Sequence, residues 1–215
     1  MKKNFVDGVT LPMTSLLVTS DQMPLPINLA SLTTVSKMSD QQFYEFCRTN
    51  PDLRIERNAH GEIIVMPPAF ADTGNRNGRV FGQLFIWSEA DATGEAFDSS
   101  SGFTFPNGAT RSPDAAWILS DRWNALQPEQ QASFAPIVPD FVVELRSSSD
   151  TLVSLKEKME EYIENGVRLG LLIDRKNCQV HVYRPNRQPE ILENPESVSC
   201  EPEMPMFALK MARIW

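Results

Sequence analysis

From Ser39 onward the apolar positions recur with two different periods, and each switch between them marks the edge of an element. Ser39-Asp40-Gln41-Gln42 precedes Phe43, Tyr44 and Phe46, the pattern of a capped short helix that ends near Asn50-Pro51. Leu53 to Glu56 and Glu62 to Met66 flank the turn-forming Asn58-Ala59-His60-Gly61 and predict a hairpin. Val80, Phe81, Leu84, Phe85 and Trp87 return to helical spacing through Glu89, and Gly74-Asn75-Arg76-Asn77-Gly78 reads as a polar turn before that helix. Ala96 to Asp98, Gly102 to Phe105 and Ala115 to Leu119 follow as strands broken by Gly, Ser, Asn and Pro, and Asp121 to Gln131 as a short helical insertion.

Phe141 to Leu145 is almost wholly apolar and predicts a central strand. Leu152, Leu155, Met159, Tyr162 and Ile163 predict a helix with Ser149 or Asp150 as its N-cap and Asn165-Gly166 as its stop. Leu169 to Ile173 and Gln179 to Tyr183 form a hairpin across Arg175-Lys176-Asn177, and the tail from Pro185 supplies short edge strands. The first 30 residues, with Pro12, Pro24 and Pro26 and no sustained period, read as an extended arm. The expected organisation is therefore an arm over residues 1–30 and a single domain over 31–215. The fold class is α/β (α+β), a mixed central β-sheet flanked by helices. With no GxGxxG and no Walker-A loop, a dinucleotide-binding fold is disfavoured.

Composition narrows the function. Lys and Arg number 20 against 28 Asp and Glu, a net charge of −8, so the chain is no basic nucleic-acid coat, although a local groove or a bound cation still permits an anionic partner. Cys47, Cys178 and Cys200 are odd in number and far apart, with only His60 and His181 beside them, which argues against a zinc site or a disulfide framework and for free thiols in a reducing cytoplasm. Asp7 and Pro12 interrupt the stretch after Lys2 and Lys3, so no signal peptide is expected, and no run of apolar residues is long enough for a membrane span.

Two acids stand where strands should be buried: Asp114 after Pro113, and Glu144 inside Phe141-Val142-Val143-Glu144-Leu145. A buried unpaired carboxylate costs several kcal/mol, so each needs a partner, a proton or a metal. On neighbouring strands the pair would suit Mg²⁺ or Mn²⁺, which take hard oxygen ligands and leave room for phosphate oxygens. The residues alone leave other readings open. Asp114 can cap a turn, and Glu144 can pair with Arg146. Glu62, a third acid beside Gly61, can orient a water or face solvent, and Tyr162 suits helix packing with a wet hydroxyl. At about 100° per residue, Lys156 and Lys158 flank opposite borders of the apolar arc, and either amine could reach a site. Lys158 could equally pair at the surface with Glu161 or Asp150.

The run Glu144-Leu145-Arg146-Ser147-Ser148-Ser149-Asp150, then Lys156 to Tyr162, Asn165-Gly166-Val167 and Leu171-Leu172-Ile173-Asp174, resembles the Uma family of endonucleases within the restriction-endonuclease-like PD-(D/E)XK superfamily. Gly61 to Pro68, Thr73 to Asn77 and Arg111-Ser112-Pro113-Asp114 extend the resemblance over about residues 41–215 and leave the arm unexplained. It implies a restriction-endonuclease-like core and Mg²⁺-dependent hydrolysis of phosphodiester bonds in DNA, with Mn²⁺ as a substitute. Asp114 and Glu144, with the carbonyl of Leu145, would bind the metal, and a homodimer is implied. The superfamily often places a lysine two residues after the second acid, where this chain has Arg146, and motif matching assigns that role to Lys158. Arginine clamps phosphate but does not exchange protons near neutral pH. Lys158 would orient water or stabilise charge at phosphorus. The rival reading is a catalytically inactive nuclease-fold interaction protein, since a fold can outlive its chemistry.

Overall fold

The computed structural model describes residues 15–20, 23–28, 38–66 and 68–215, the first two segments as backbone only. Its contacts divide the chain between Leu53 and Arg54, whereas the sequence places a boundary at residue 30. In the first unit, β1 (Ser15–Ser20) and β2 (Met23–Asn28) pair antiparallel from Ser15↔Asn28 to Ser20↔Met23, within the segment expected to be an extended arm. Helix α1 (Asp40–Thr49) opens with the expected capping box, in which Ser39 accepts from the Gln42 N–H and Gln42 accepts from the Ser39 N–H.

The second unit carries β3 (Arg54–Arg57), β4 (Ile63–Met66), α2 (Ala71–Asp91), β5 (Gly94–Asp98), β6 (Phe103–Thr104), β7 (Thr110–Arg111) and β8 (Ala115–Leu119). After α3 (Ser120–Asn124) and α4 (Pro128–Gln131) come β9 (Phe141–Leu145), α5 (Leu152–Glu164), β10 (Leu169–Asp174), β11 (Gln179–Tyr183), β12 (Glu190–Glu193), β13 (Ser197–Ser199) and β14 (Ala208–Lys210). The main sheet runs β12-β11-β10-β9-β8-β5, and a second sheet runs β4-β3-β7-β6. Only the β9–β10 pair of the main sheet is parallel, with α5 as its crossover. The mixed sheet flanked by helices is thus as the sequence predicts.

Strand alternation decides what each face carries. Phe141, Val143 and Leu145 turn into a core shared with Val80 and Leu84 of α2 and with Phe207, Met211 and Ile214 of the C-terminal segment. Val142 turns to the opposite face, against Met159 and Tyr162 of α5 and Phe105. Glu144 shares that parity, so its side chain rises toward α5. The helix lies close to the sheet there, because a Cβ on Gly170 would stand 2.4 Å from the Met159 side chain.

Two helix boundaries differ from the sequence reading. The segment Gly74 to Gly78 is not a turn but part of the first two helical turns of α2. Thr73, Val80, Leu84 and Ser88 bury one face, while a Cβ at Gly74 or Gly78 would meet nothing within 4 Å. Glycine weakens a helix by about 1 kcal/mol per residue, less than burial of that face returns. Thr151 caps α5 by accepting from the Ser154 N–H, in place of Ser149 or Asp150. Asp150 instead closes the preceding loop, accepting from the Ser147 N–H and hydroxyl. Asn165 and Gly166, at φ +112°, end the helix as expected. Cys178 and Cys200 are free thiols, and no helix among the described residues is long and apolar enough to cross a membrane.

Candidate active site

Asp114 and Glu144 meet at the end of the β8–β9 ladder. Ala115 pairs with Val143, Ala116 with Val142 and Trp117 with Phe141, so one step further along this antiparallel register Asp114 stands opposite Glu144. Both are buried. Asp114 is fixed at both oxygens: Oδ1 accepts from the Asn77 side-chain amide at 2.9 Å and Oδ2 from the Leu145 N–H at 2.8 Å. The Arg54 guanidinium lies 3.7 Å from Oδ1.

Glu144 receives two donors from α5 on a single oxygen. The Tyr162 hydroxyl donates to Oε1 at 2.7 Å, and the Lys158 ammonium lies 2.8 Å from the same atom. Residues 158 and 162 are one helical turn apart, which is why both reach it. Among the described residues no group donates to Glu144 Oε2. Lys158 also donates to Glu56 Oε1 at 3.0 Å. Glu56 accepts from the Ser112 N–H at 2.9 Å and pairs with Arg111 at 3.1 Å, and Arg111 pairs with Glu161 at 2.6 Å. The result is an alternating line of charge, Glu161, Arg111, Glu56, Lys158, Glu144.

Burial pushes the Glu144 carboxyl up from 4.5 to about 7, with the neighbouring Asp114 and Glu56 charges adding to the rise and Lys158 opposing it. Asp114 is raised mainly by burial, against the Leu145 N–H bond and the Arg54 charge. Glu56 ends below the usual carboxylate range because Lys158, Arg111 and the Ser112 N–H together outweigh its desolvation. Lys158 is desolvated, yet Glu144 and Glu56 raise it above its ordinary value, so it remains an ammonium at neutral pH. A permanent cation can offset developing negative charge but cannot take a proton.

Of the residues singled out in the sequence, Asp114, Glu144 and Lys158 converge, with Leu145 beside them. Tyr162 joins them with its hydroxyl buried on Glu144 rather than wet. Glu62 does not. It is exposed in the β3–β4 turn, where it accepts from the Asn58 amide at 2.6 Å. Arg146 does not pair with Glu144 but with Asp174, because the chain has left β9 by then. Lys156 sits on the β11 side of α5, where its charge bears on His181. The sequence reading passed over Glu56, Asn77 and Arg54. Asn77 was hidden by the turn assigned to residues 74–78. The one signal for Glu56 is an acid at the end of an apolar-bounded run, Leu53 to Glu56.

The cleft above these groups has a volume of about 130 Å³ and is lined in part by Arg54, Asn77, Asp114, Glu144, Leu145 and Lys158. Two carboxylates with one oxygen unclaimed by any described donor fit a hard cation. Among the described residues no group of three or more His, Cys, Asp or Glu side chains is placed to hold a metal ion.

The chain belongs to the Uma2 family, described as "putative restriction endonuclease", whose model matches residues 40–212. Its fold is similar to the crystal structure of a "putative nuclease" from Anabaena variabilis, with a TM-score of 0.69 at 18% identity, covering 82% of this chain and 97% of that one. No curated protein matches it in sequence.

Proposed function

We propose that this chain is a divalent-cation-dependent endonuclease that hydrolyses phosphodiester bonds in DNA. The observation that carries the proposal is the opposition of Asp114 and Glu144 at the end of the β8–β9 ladder, in a cleft shared with Leu145 and the Lys158 ammonium. Membership of the Uma2 family and the nuclease-like fold support it.

Asp114 and Glu144, with the Leu145 carbonyl, would hold Mg²⁺, or Mn²⁺ in its place. Such an ion supplies Lewis acidity at a non-bridging phosphate oxygen and acidifies a water. Asn77 and the Leu145 N–H fix the Asp114 oxygens, and Tyr162 fixes Glu144. Lys158 offsets charge at the phosphate from a position held by two carboxylates.

The test is cleavage of plasmid DNA in Mg²⁺ or Mn²⁺. Asp114→Ala and Glu144→Ala should each abolish turnover in a protein that still folds, and EDTA should do the same to the unaltered chain. Cleavage that persists in EDTA, or survives both substitutions, rejects the proposal.

A further inference from the structure

Glu56 is 2% exposed and does not line the cleft, yet it collects three donors from two distant segments, the adjacent Arg111 and Ser112 and, on α5, Lys158. The Ser112 N–H and the Lys158 ammonium meet Oε1 at 2.9 and 3.0 Å, and Arg111 meets Oε2 at 3.1 Å. Arg111 is itself held by Glu161 through two contacts, at 2.7 and 2.6 Å. Glu56 is thus a fixed anion on Lys158 that does not itself line the cleft.

The lysine it shares is the one on Glu144. A lysine paired with Glu144 alone would compete with any cation for that carboxylate, because two positive charges at one oxygen repel each other. A second carboxylate divides the attraction. We infer that Glu56 is a positioning residue that anchors Lys158 through its own ion pair and so keeps the Glu144 carboxylate available to a divalent cation. The inference rests on the cation-binding reading of Asp114 and Glu144 given above.

Calorimetric titration of the full chain with Mn²⁺ alone, without DNA, tests it in four proteins: wild type, Glu56→Gln, Lys158→Met and the double variant. Glu56→Gln retains an oxygen for the Ser112 N–H, and Arg111 retains Glu161, so the fold should persist in a thermal melt. Removing the Glu56 charge should weaken Mn²⁺ binding about tenfold when Lys158 is present and less than about threefold when it is methionine, the non-additivity of residues that act through contact. Equal weakening in both backgrounds, or none, overturns the inference while leaving the cation site standing. If Glu56→Gln does not fold, Glu56→Asp serves: it keeps the charge but withdraws it from Lys158, and its loss of affinity should vanish with Lys158→Met, any other result counting against the inference. A wild-type chain that binds no Mn²⁺ overturns both the cation-binding reading and this one.

Discussion

Arg146 embraces Asp174: its Nη1 lies 3.0 and 3.1 Å from the two carboxylate oxygens, and Asp174 is fully buried. The position two residues after Glu144 is thus committed to binding the loop after β9 to the end of β10. Asp174 is held below the usual carboxylate range by the Asn177 amide, the Arg146 pair and the Lys176 N–H, which together overcome its burial.

Arg146→Ala should therefore act on stability before it acts on chemistry. Asp174 keeps the Asn177 and Lys176 donors, so the expected loss is about 1.5–3 kcal/mol, the range for a hydrogen bond to a charged group rather than for an isolated buried charge. Urea unfolding measures it. Cleavage per folded molecule should stay within about threefold of wild type, and a collapse of turnover at unchanged stability would place Arg146 on the substrate.

Glu144 should give the protein without metal a distinctive pH dependence. Between about pH 4.5 and 7 the folded chain retains a proton on Glu144 that the unfolded chain has released, so this group favours the folded state less as pH rises. The rise from 4.5 to about 7 corresponds to about 3 kcal/mol. Relative to Glu144→Gln, the wild type should lose about that much stability between pH 4.5 and 8, as read by denaturant midpoints. Mn²⁺ binding should run the other way and tighten from pH 6 to 8, since the cation displaces the proton. A wild type and variant with parallel pH profiles would place the carboxyl in a far wetter setting.

Tyr162→Phe removes a donor from a buried carboxylate and nothing else of size. Glu144 then relies on Lys158 alone at Oε1. The expected outcome is a loss of about 1–3 kcal/mol in stability and a drop of about tenfold in turnover with KM little changed, from a less firmly aimed carboxylate. Loss of turnover as complete as that of Glu144→Ala would assign the hydroxyl a direct part in the chemistry.

Glu62→Gln is the contrasting case. The amide can still accept from Asn58, and the site is exposed. Stability should remain within about 0.5 kcal/mol and cleavage within about twofold of wild type. A large loss of cleavage in the folded variant would show that substrate reaches the β3–β4 turn.

The pattern of residues was sufficient for much of this molecule. Phe141 to Leu145 reads as a buried strand because its neighbours leave no polar side to face water, and β9 occupies that range with every residue buried. The spacing of Leu155, Met159 and Tyr162 likewise gives the inward face of α5. Where local preference and tertiary packing disagree, the pattern misleads, as in α2, whose glycines and asparagines look like a turn until the burial of Thr73, Val80, Leu84 and Ser88 is known.

What the amino-acid order determined by itself was most of the elements from Ser39 onward, the oddity of an acid inside an apolar strand and, through its motifs, the family. Periodicity left Lys156 and Lys158 open and the resemblance chose Lys158; the folded chain sets Lys158 against Glu144, leaves Glu62 exposed in its turn and brings Glu56 and Asn77 to the same cluster. Periodicity reports which side of an element turns inward. It carries no information on which distant element waits there, and it is the β8–β9 register, the approach of α5 at Gly170 and the placement of β3 that bring charges 102 residues apart, on Glu56 and Lys158, within hydrogen-bonding distance.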